Sequence, residues 1–413
     1  MPSPKQRLVV IEPALKEAGG HHAGFADLIA RSKRERPGEV IVYTHRALNS
    51  LTEQRLLESG CGVRKHFSFN FYRVLSDPLT VEQRLLETNA LADQLADALS
   101  SLSADASGSH PTTVLYPSFG LEHFAALVSA CYREVGSEFR HLVCMMFRPG
   151  AGTRRTLDVL QRRGGYGEKL RKLRSSHDVR LFASDWELAH TYKGICQSDR
   201  LMAFHPVYLA SADQRVRKRA RSGGSGIRIM IYAGDAKDEK GFNGLPGIAR
   251  ELLRNEHLNA TVVIQYTSNW GNRSTVATEK ALRELAATEP RLELHNGYWS
   301  ESVMRRQLST LALFVFSHRA EAYADKSSGV LWLLGASGVP LVFMEQSWLT
   351  READRLALPV VARQLSPGKL AELAPAAITL NPTTPPATPY RAQLFAPFWP
   401  WIRDQMSNVD HNA

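Results

Sequence analysis

Short, unbroken apolar runs of strand length recur along this chain, separated by polar turns and by stretches with helical spacing. In the first half they are residues 8–12 (LVVIE), 39–43 (EVIVY), 113–117, 142–147, 179–183 and 202–206. A strand that is apolar at nearly every position, not at every second one, must be covered on both faces. That is the condition of a parallel sheet between two layers of helices. Helical patterns at 22–31 and 81–100 supply part of the cover. The rhythm restarts with strand candidates at 227–233, 260–266, 291–295, 311–316 and 340–344, and with helical patterns at 245–254, 278–287 and 330–336. The expected class is α/β, with two parallel sheets.

The 413 residues exceed what one core usually holds, so two domains are expected. Residues 214–221 read QRVRKRAR, and Ser222-Gly223-Gly224-Ser225-Gly226 follows as a flexible linker. This places an N-terminal domain at 1–222 and a second at 223–390. The Pro/Thr-rich NPTTPPATPY from Asn381 then leads into a tail, 391–413, whose aromatic helix is expected to fold back towards the first domain.

Apolar residues make up 44% and charged residues 22%, ordinary values for a globular protein. The longest apolar stretch, 330–344, is interrupted by Gly335, Gly338 and Pro340, so no segment is suited to cross a bilayer. The N-terminus runs directly into the first strand without a signal-like segment, and a cytoplasmic location is expected. Cys61, Cys131, Cys144 and Cys196 are scattered without metal-ligand spacing, so buried reduced thiols are expected and a metal site is not.

The net charge is +10, and residues 154–174 concentrate eight cations (Arg154, Arg155, Arg162, Arg163, Lys169, Arg171, Lys172 and Arg174) against Asp158 and Glu168. Such a run is a solvated helical face or an attractor for an anionic membrane surface or a phosphorylated acceptor. No zinc-finger, helix-turn-helix or RRM-like pattern accompanies it, so nucleic acid is not an expected partner.

Two loops carry chemistry. In IRIMIYAGDAKDEKGFNGLP, 227–246, a strand ends at Gly234 and Lys240-Gly241 reads as a helix start. In the second, Lys326-Ser327-Ser328-Gly329 precedes an apolar helix that ends at Gly338-Val339-Pro340. A lysine and unpaired amides at helix starts are means of holding phosphate, so the pair suggests a nucleotide-diphosphate site. No G-x-S-x-G, P-loop or H-E-x-x-H pattern is present, and G-x-G-x-x-G is missing after the first strand.

These elements resemble the two-Rossmann (GT-B type) glycosyltransferases, in particular glycosyltransferase family 4. GDAKDEKGF at 234–242 is similar to their G-R-x-x-x-x-K-G loop, 295–321 to the strand–Gly-Tyr–helix–strand element that follows, and 327–343 to their donor-site helix. Gly19-Gly20-His21-His22 is similar to the glycine-rich loop after the first strand. The resemblance implies two Rossmann-like domains facing across a cleft, the second binding a nucleotide sugar and the first an acceptor. It also implies retention of anomeric configuration and no obligatory metal or cofactor, the nucleotide-diphosphate sugar being a co-substrate.

On that resemblance Gly234, Lys237, Lys240, Ser327, Ser328, Gly329 and Val330 are the candidate diphosphate residues, and Tyr298 is the candidate nucleobase or ribose contact. His21, His22, Glu321 and Asp325 are candidate catalytic residues, and Arg148, His318 and Arg319 are candidate acceptor or phosphate contacts, with a local salt bridge the alternative for Arg148. Two positions depart from the family pattern: Asp235 stands at the motif arginine and Leu333 at the second of two glutamates. The expected function is transfer of a sugar to a saccharide or lipid-linked acceptor, in surface polysaccharide or glycolipid synthesis at the inner membrane face. A non-catalytic nucleotide-sugar-binding relative and a nucleotide-sugar epimerase are the alternatives.

Overall fold

The computed structural model describes residues 6–407 except 18–19, 32–34, 37, 76–78, 106–110, 134, 150–152, 197–201, 204–226, 256–257, 269–272, 367, 371 and 373–387. The chain divides into two compact units, Met1–Ser211 with Gln393–Ala413, and Ala212–Ala392. The domain boundary expected at 222/223 and the Ser/Gly linker lie outside the described residues, as does Gly19.

In the first unit, strands β1 (Gln6–Glu12), β2 (Gly38–His45), β3 (Gly62–Phe67), β4 (Thr112–Phe119), β5 (Arg140–Met145), β6 (Asp178–Ala183) and β7 (Met202–Ala203) form one sheet. Its order is β3-β2-β1-β4-β5-β6-β7, with every pairing parallel. Helices α1 (Gly20–Arg31), α2 (Ser50–Glu58), α3 (Val81–Asp105), α4 (Leu121–Cys131), α5 (Thr153–Arg162), α6 (Tyr166–Ser176) and α7 (Trp186–Cys196) flank it.

The unbroken apolar runs are explained by the two cores. Alternate β1 residues point to opposite faces, Val9 and Ile11 joining Leu95 and Leu99 of α3, Phe124 of α4 and Tyr192 of α7. Leu8 and Val10 join Phe25 and Ile29 of α1 and Leu56 of α2 on the other face. Phe398, Trp399, Ile402 and Met406 of the C-terminal helix, Phe398–Ser407, complete that second core. Arg140 of β5 donates to the Gln405 and Met406 carbonyls at the end of this helix, 2.5 and 3.1 Å away, where a cation meets the negative end of the dipole.

The second unit repeats the plan with β8 (Ile227–Asp235), β9 (Ala260–Thr267), β10 (Leu292–Asn296), β11 (Leu313–Phe316), β12 (Leu341–Phe343) and β13 (Val360–Ala362). The order is β10-β9-β8-β11-β12-β13, again parallel throughout. Helices α8 (Leu245–Arg254), α9 (Arg273–Thr288), α10 (Glu301–Thr310), α11 (Gly329–Ser337) and α12 (Trp348–Arg355) accompany it. Both sheets reverse direction beside their first strand, between β1 and β4 and between β8 and β11. Open α/β sheets bind ligands outside the carboxyl ends of strands at such a switch point.

Two sequence expectations need correction. Lys240-Gly241 does not open an α-helix: short 3-10 turns at Asp238–Lys240 and Phe242–Gly244 intervene, and α8 begins at Leu245 with Pro246 in its first turn. Gly241 adopts φ 78°, a left-handed conformation that interrupts helical progression. The second strand is followed by an unanticipated pair, α2 and the edge strand β3, whose sequence GVRKHF is polar because one side faces solvent.

On α5 and α6 Arg155, Arg162, Arg171 and Arg174 are exposed and Lys169 and Lys172 half-buried, while Leu160, Tyr166, Leu170 and Leu173 are buried. Arg163 pairs with Glu82 at 2.6 Å, and Lys172 lies 4.8 Å over the Tyr132 ring. Among the described residues no helix is long and apolar enough to cross a membrane.

Candidate functional site

The switch point of the second unit gathers the two loops expected to hold phosphate. Gly234, the penultimate residue of β8, has a φ of 114°, open to glycine and strained for other residues. Its N–H donates to Gln265 Oε1 at 2.9 Å, and Gln265 Nε2 donates to the Gly297 carbonyl at 2.7 Å. One buried amide of β9 thus fixes the loops after β8 and β10. The chain turns back at Gly241, where an added Cβ would lie 1.9 Å from the Ser317 carbonyl oxygen. Ser317 Oγ donates to the Lys240 carbonyl at 3.1 Å, so the loop after β11 is packed against the lysine loop.

Two ion pairs tighten this contact. Arg319 Nη1 lies 2.7 Å from Asp238 Oδ2, and Lys326 Nζ lies 2.7 Å from Glu239 Oε1. The Arg319 N–H also donates to the Glu239 carbonyl at 3.1 Å. The turn that leads to Ser327 is therefore tied to the loop that carries Lys240. Ser328 is the N-cap of α11 in extended conformation, and Gly329 and Val330 are its first helical residues. Their amides belong to the set a helix cannot satisfy internally.

Lys240 is the central cation. An added Cβ on Gly234 would be 3.1 Å from its Nζ, so the ammonium lies directly on the glycine backbone. No hydrogen bond or ion pair joins this Nζ to any described residue. Burial lowers its pKa from the usual 10.5; Asp235 opposes the shift, and Lys237 and Lys326 reinforce it. A desolvated ammonium beside two other cations is unfavourable until an anion joins it.

Asp235 occupies the position where an arginine was expected, yet it does not stand open towards a phosphate. Its Oδ1 accepts from the Tyr298 hydroxyl at 2.7 Å and from Thr267 Oγ1 at 2.8 Å, and Lys237 Nζ is 3.9 Å from Oδ2. Burial alone would raise the carboxyl; the two hydrogen bonds, with Lys240 and Lys237 nearby, outweigh it and hold the pKa below its usual value. Tyr298 is thus a half-exposed ring anchored through its phenol.

His318 lies beneath this cluster. It is buried, neither ring nitrogen has a hydrogen-bond partner, and the Tyr323 ring crosses it edge-on at 4.4 Å. Burial, reinforced by Lys240 and Lys326, pushes its pKa down to about 3, so the ring is neutral. Glu321 and Asp325 lie exposed on the turn between β11 and α11, Glu321 3.9 Å from Arg319. Leu333 is on α11, so no carboxylate stands at that position.

The switch point of the first unit holds a second constellation. Glu12, at the end of β1, is buried, and its Oε2 accepts from Ser118 of β4 at 2.7 Å. His22, in the first turn of α1, places Nδ1 3.1 Å from Glu12 Oε1, off the axis of a linear hydrogen bond. Its Nε2 is 2.6 Å from the Tyr72 hydroxyl. The His21 ring is tilted 42° against that of His22, with centroids 3.8 Å apart, and lies 6.1 Å from Phe147. His123, whose pKa burial drives to about 3, stacks on Phe71 behind them.

Arg148 realises the local alternative: its Nη2 is 3.1 Å from the buried Asp185 and 3.6 Å from Glu187. Among the described residues no group of three or more His, Cys, Asp or Glu is placed to hold a metal ion. Glu12, Tyr72, Ser118, Gln265 and Thr267 were not anticipated from sequence, because their partners lie tens of residues away and meet only across the sheet.

No family model matches the chain. No curated protein matches it either. Solved structures do. A UDP-forming α,α-trehalose-phosphate synthase from Burkholderia xenovorans is similar at TM-score 0.55 and 12% identity, over 98% of this chain and 99% of that one. An Anabaena protein solved with UDP and glucose gives 0.57 and 11% over 98% and 100%. A Listeria monocytogenes protein assigned as a UDP-N-acetylglucosamine 2-epimerase gives 0.56 and 12% over 98% of each chain. At these identities the likeness is one of fold, and the chain has the two-Rossmann GT-B fold.

Proposed function

We propose that this protein is a glycosyltransferase that binds a nucleoside-diphosphate sugar in its second unit. The observation that carries the reading is the Lys240 ammonium, desolvated against Gly234 without a hydrogen bond or ion pair and tied through Glu239–Lys326 to the start of α11. A diphosphate supplies the missing negative charge, and the first amides of α11 are donors for its oxygens. Lys240, with Lys237 and the 327–330 turn, then stabilises the leaving diphosphate as the sugar bond breaks. Tyr298, held by Asp235, offers a ring face to the base or ribose. No metal or cofactor enters this scheme.

The acceptor, a saccharide or a lipid-linked saccharide, is assigned to the first unit. The exposed Arg155 and Arg162 of α5 and Arg171 and Arg174 of α6 support an acceptor at an anionic membrane surface, and with it a role at the inner face in surface polysaccharide or glycolipid assembly.

The test is a thermal-shift screen against UDP, GDP, ADP and TDP and their common sugars. A ligand at a hundredfold excess over Kd adds about 2.7 kcal/mol of stability, a rise of roughly 5–10 °C for a unit of this size. Lys240→Ala abolishes the rise on this account, and an unchanged rise removes the lysine from the role. Nucleotide release without any acceptor would favour the epimerase instead, and binding without sugar loss the non-catalytic relative.

A further inference from the structure

Asp235 has one carboxylate oxygen engaged and one without a hydrogen bond. It closes β8, opposite Thr267 at the end of β9, at the carboxyl edge of the strand beside which the sheet order reverses. Oδ1 accepts from the Tyr298 hydroxyl at 2.7 Å and from Thr267 Oγ1 at 2.8 Å, which occupies both of its lone pairs. Among the described residues Oδ2 meets only Lys237 Nζ, 3.9 Å away and beyond hydrogen-bond distance, and the side chain is 23% exposed. Burial opposes ionisation, but the two hydrogen bonds and the charges of Lys240 and Lys237 outweigh it, so Oδ2 is an anionic acceptor at neutral pH. Neighbouring carboxylates are paired or open to water. Asp238 is held by Arg319 and Glu239 by Lys326, and Glu321 and Asp325 are exposed. Helix α11 has no acidic side chain from Gly329 to Ser337.

The order of the groups points to the ligand atom. Tyr298, offered to the base, is bonded to Asp235, while Lys240 Nζ, offered to the diphosphate, lies on the preceding residue, Gly234. Asp235 therefore stands between the two contacts, as ribose stands between base and diphosphate in a nucleotide. Ribose presents adjacent hydroxyls at C2′ and C3′, and a half-buried carboxylate oxygen is a strong acceptor for them. We propose that Asp235 is the residue that recognises the ribose, its Oδ2 accepting from the 2′- and 3′-hydroxyls, and that the donor is therefore a ribonucleotide. The proposal rests on the nucleoside-diphosphate reading above and narrows it. It also accounts for an acidic residue beside a diphosphate. Lys237 and Lys240 offset its repulsion of phosphate, and its open oxygen faces hydroxyl groups.

The test is titration calorimetry on the full chain. The nucleoside diphosphate selected by thermal shift is compared with its 2′-deoxy and 2′,3′-dideoxy forms and with inorganic pyrophosphate. Hydrogen bonds to a charged group set the scale, so the dideoxy form should bind wild type on the order of 10- to 100-fold more weakly, with the 2′-deoxy form between. Asp235→Asn keeps an oxygen for Tyr298 and Thr267 and puts an amide donor where Oδ2 stood. In this variant the ribonucleotide and its dideoxy form should bind within about twofold of each other. Pyrophosphate has no ribose, and Asp235→Asn should bind it at least as tightly as wild type does. Selection of TDP, whose sugar is deoxyribose, over UDP overturns the proposal. So does a dideoxy form that wild type binds within about twofold of the ribonucleotide, a comparison that needs no variant. Equal losses for nucleotide and pyrophosphate in Asp235→Asn overturn it as well, since they mark a residue that only supports the loop. Failure of the donor reading is distinct: no nucleoside diphosphate then gives a Lys240-dependent thermal shift, and the ribose assignment falls with it.

Discussion

Lys240 shows how its surroundings set the charge of one side chain. The half-buried Lys240 sets its ammonium on the backbone of Gly234, beside Asp235 but also beside Lys237 and Lys326, and its pKa is lowered in consequence. In the unliganded protein the sign is clear: the unfolded chain holds this proton more tightly, so stability rises with pH through the window below 10.5. A bound diphosphate restores the proton's stabilisation, so binding takes up a proton once the pH passes the lowered value. Affinity for nucleoside diphosphate should thus be full at neutral pH and weaken as pH rises towards 10.5. Titration calorimetry from about pH 7 to pH 10 measures this, and Lys240→Arg, which stays protonated, should flatten the dependence. A wild-type Kd constant over that range would contradict it. The residue scale also shows where sequence reading ran out. Gly234 and Lys240 were legible from their spacing, but Asp235 looked like a charge facing phosphate. Its hydrogen bonds come from Thr267 and Tyr298, 32 and 63 residues away, and no local pattern announces them.

At the scale of elements, the continuous apolar runs disclosed most of the parallel strands, since both faces of each sheet are buried. The strands they did not disclose, β3 and β13, are both edge strands; Arg64 and Lys65 of β3 are exposed, and its sequence looks like a loop because only β2 pairs with it. The pattern at 245–254 coincides with α8, but Lys240-Gly241 was misread as a helix start for a different reason. The lysine loop is pinned by contact with Ser317, a tertiary event that propensity does not register. Gly241 is the point of that contact, combining φ 78° with a Cβ position 1.9 Å from the Ser317 carbonyl oxygen. Gly241→Ala should therefore destabilise the protein by about 2 kcal/mol or more, through left-handed strain and displacement of the loop after β11. Denaturant unfolding measures the loss, and nucleotide affinity should fall with it. A variant as stable as wild type would show that the two loops are not held against each other.

For the whole molecule, the two units are built on one plan, and each places its polar chemistry where its sheet reverses order. In the second unit that place holds cations and helix-start amides, suited to a diphosphate. In the first it holds a buried carboxyl group, an imidazole and a phenol. Glu12 and Ser118 meet across neighbouring strands, and Lys240 and Ser317 meet through the loops that follow theirs. The placement of these groups is thus a product of topology more than of any single motif. The most direct measurement is a crystal structure with the nucleoside diphosphate selected by thermal shift. The account predicts phosphate oxygens within about 3 Å of Lys240 Nζ and of amides in the 328–330 turn. A nucleotide bound elsewhere, with that ammonium still without an anion, would contradict it.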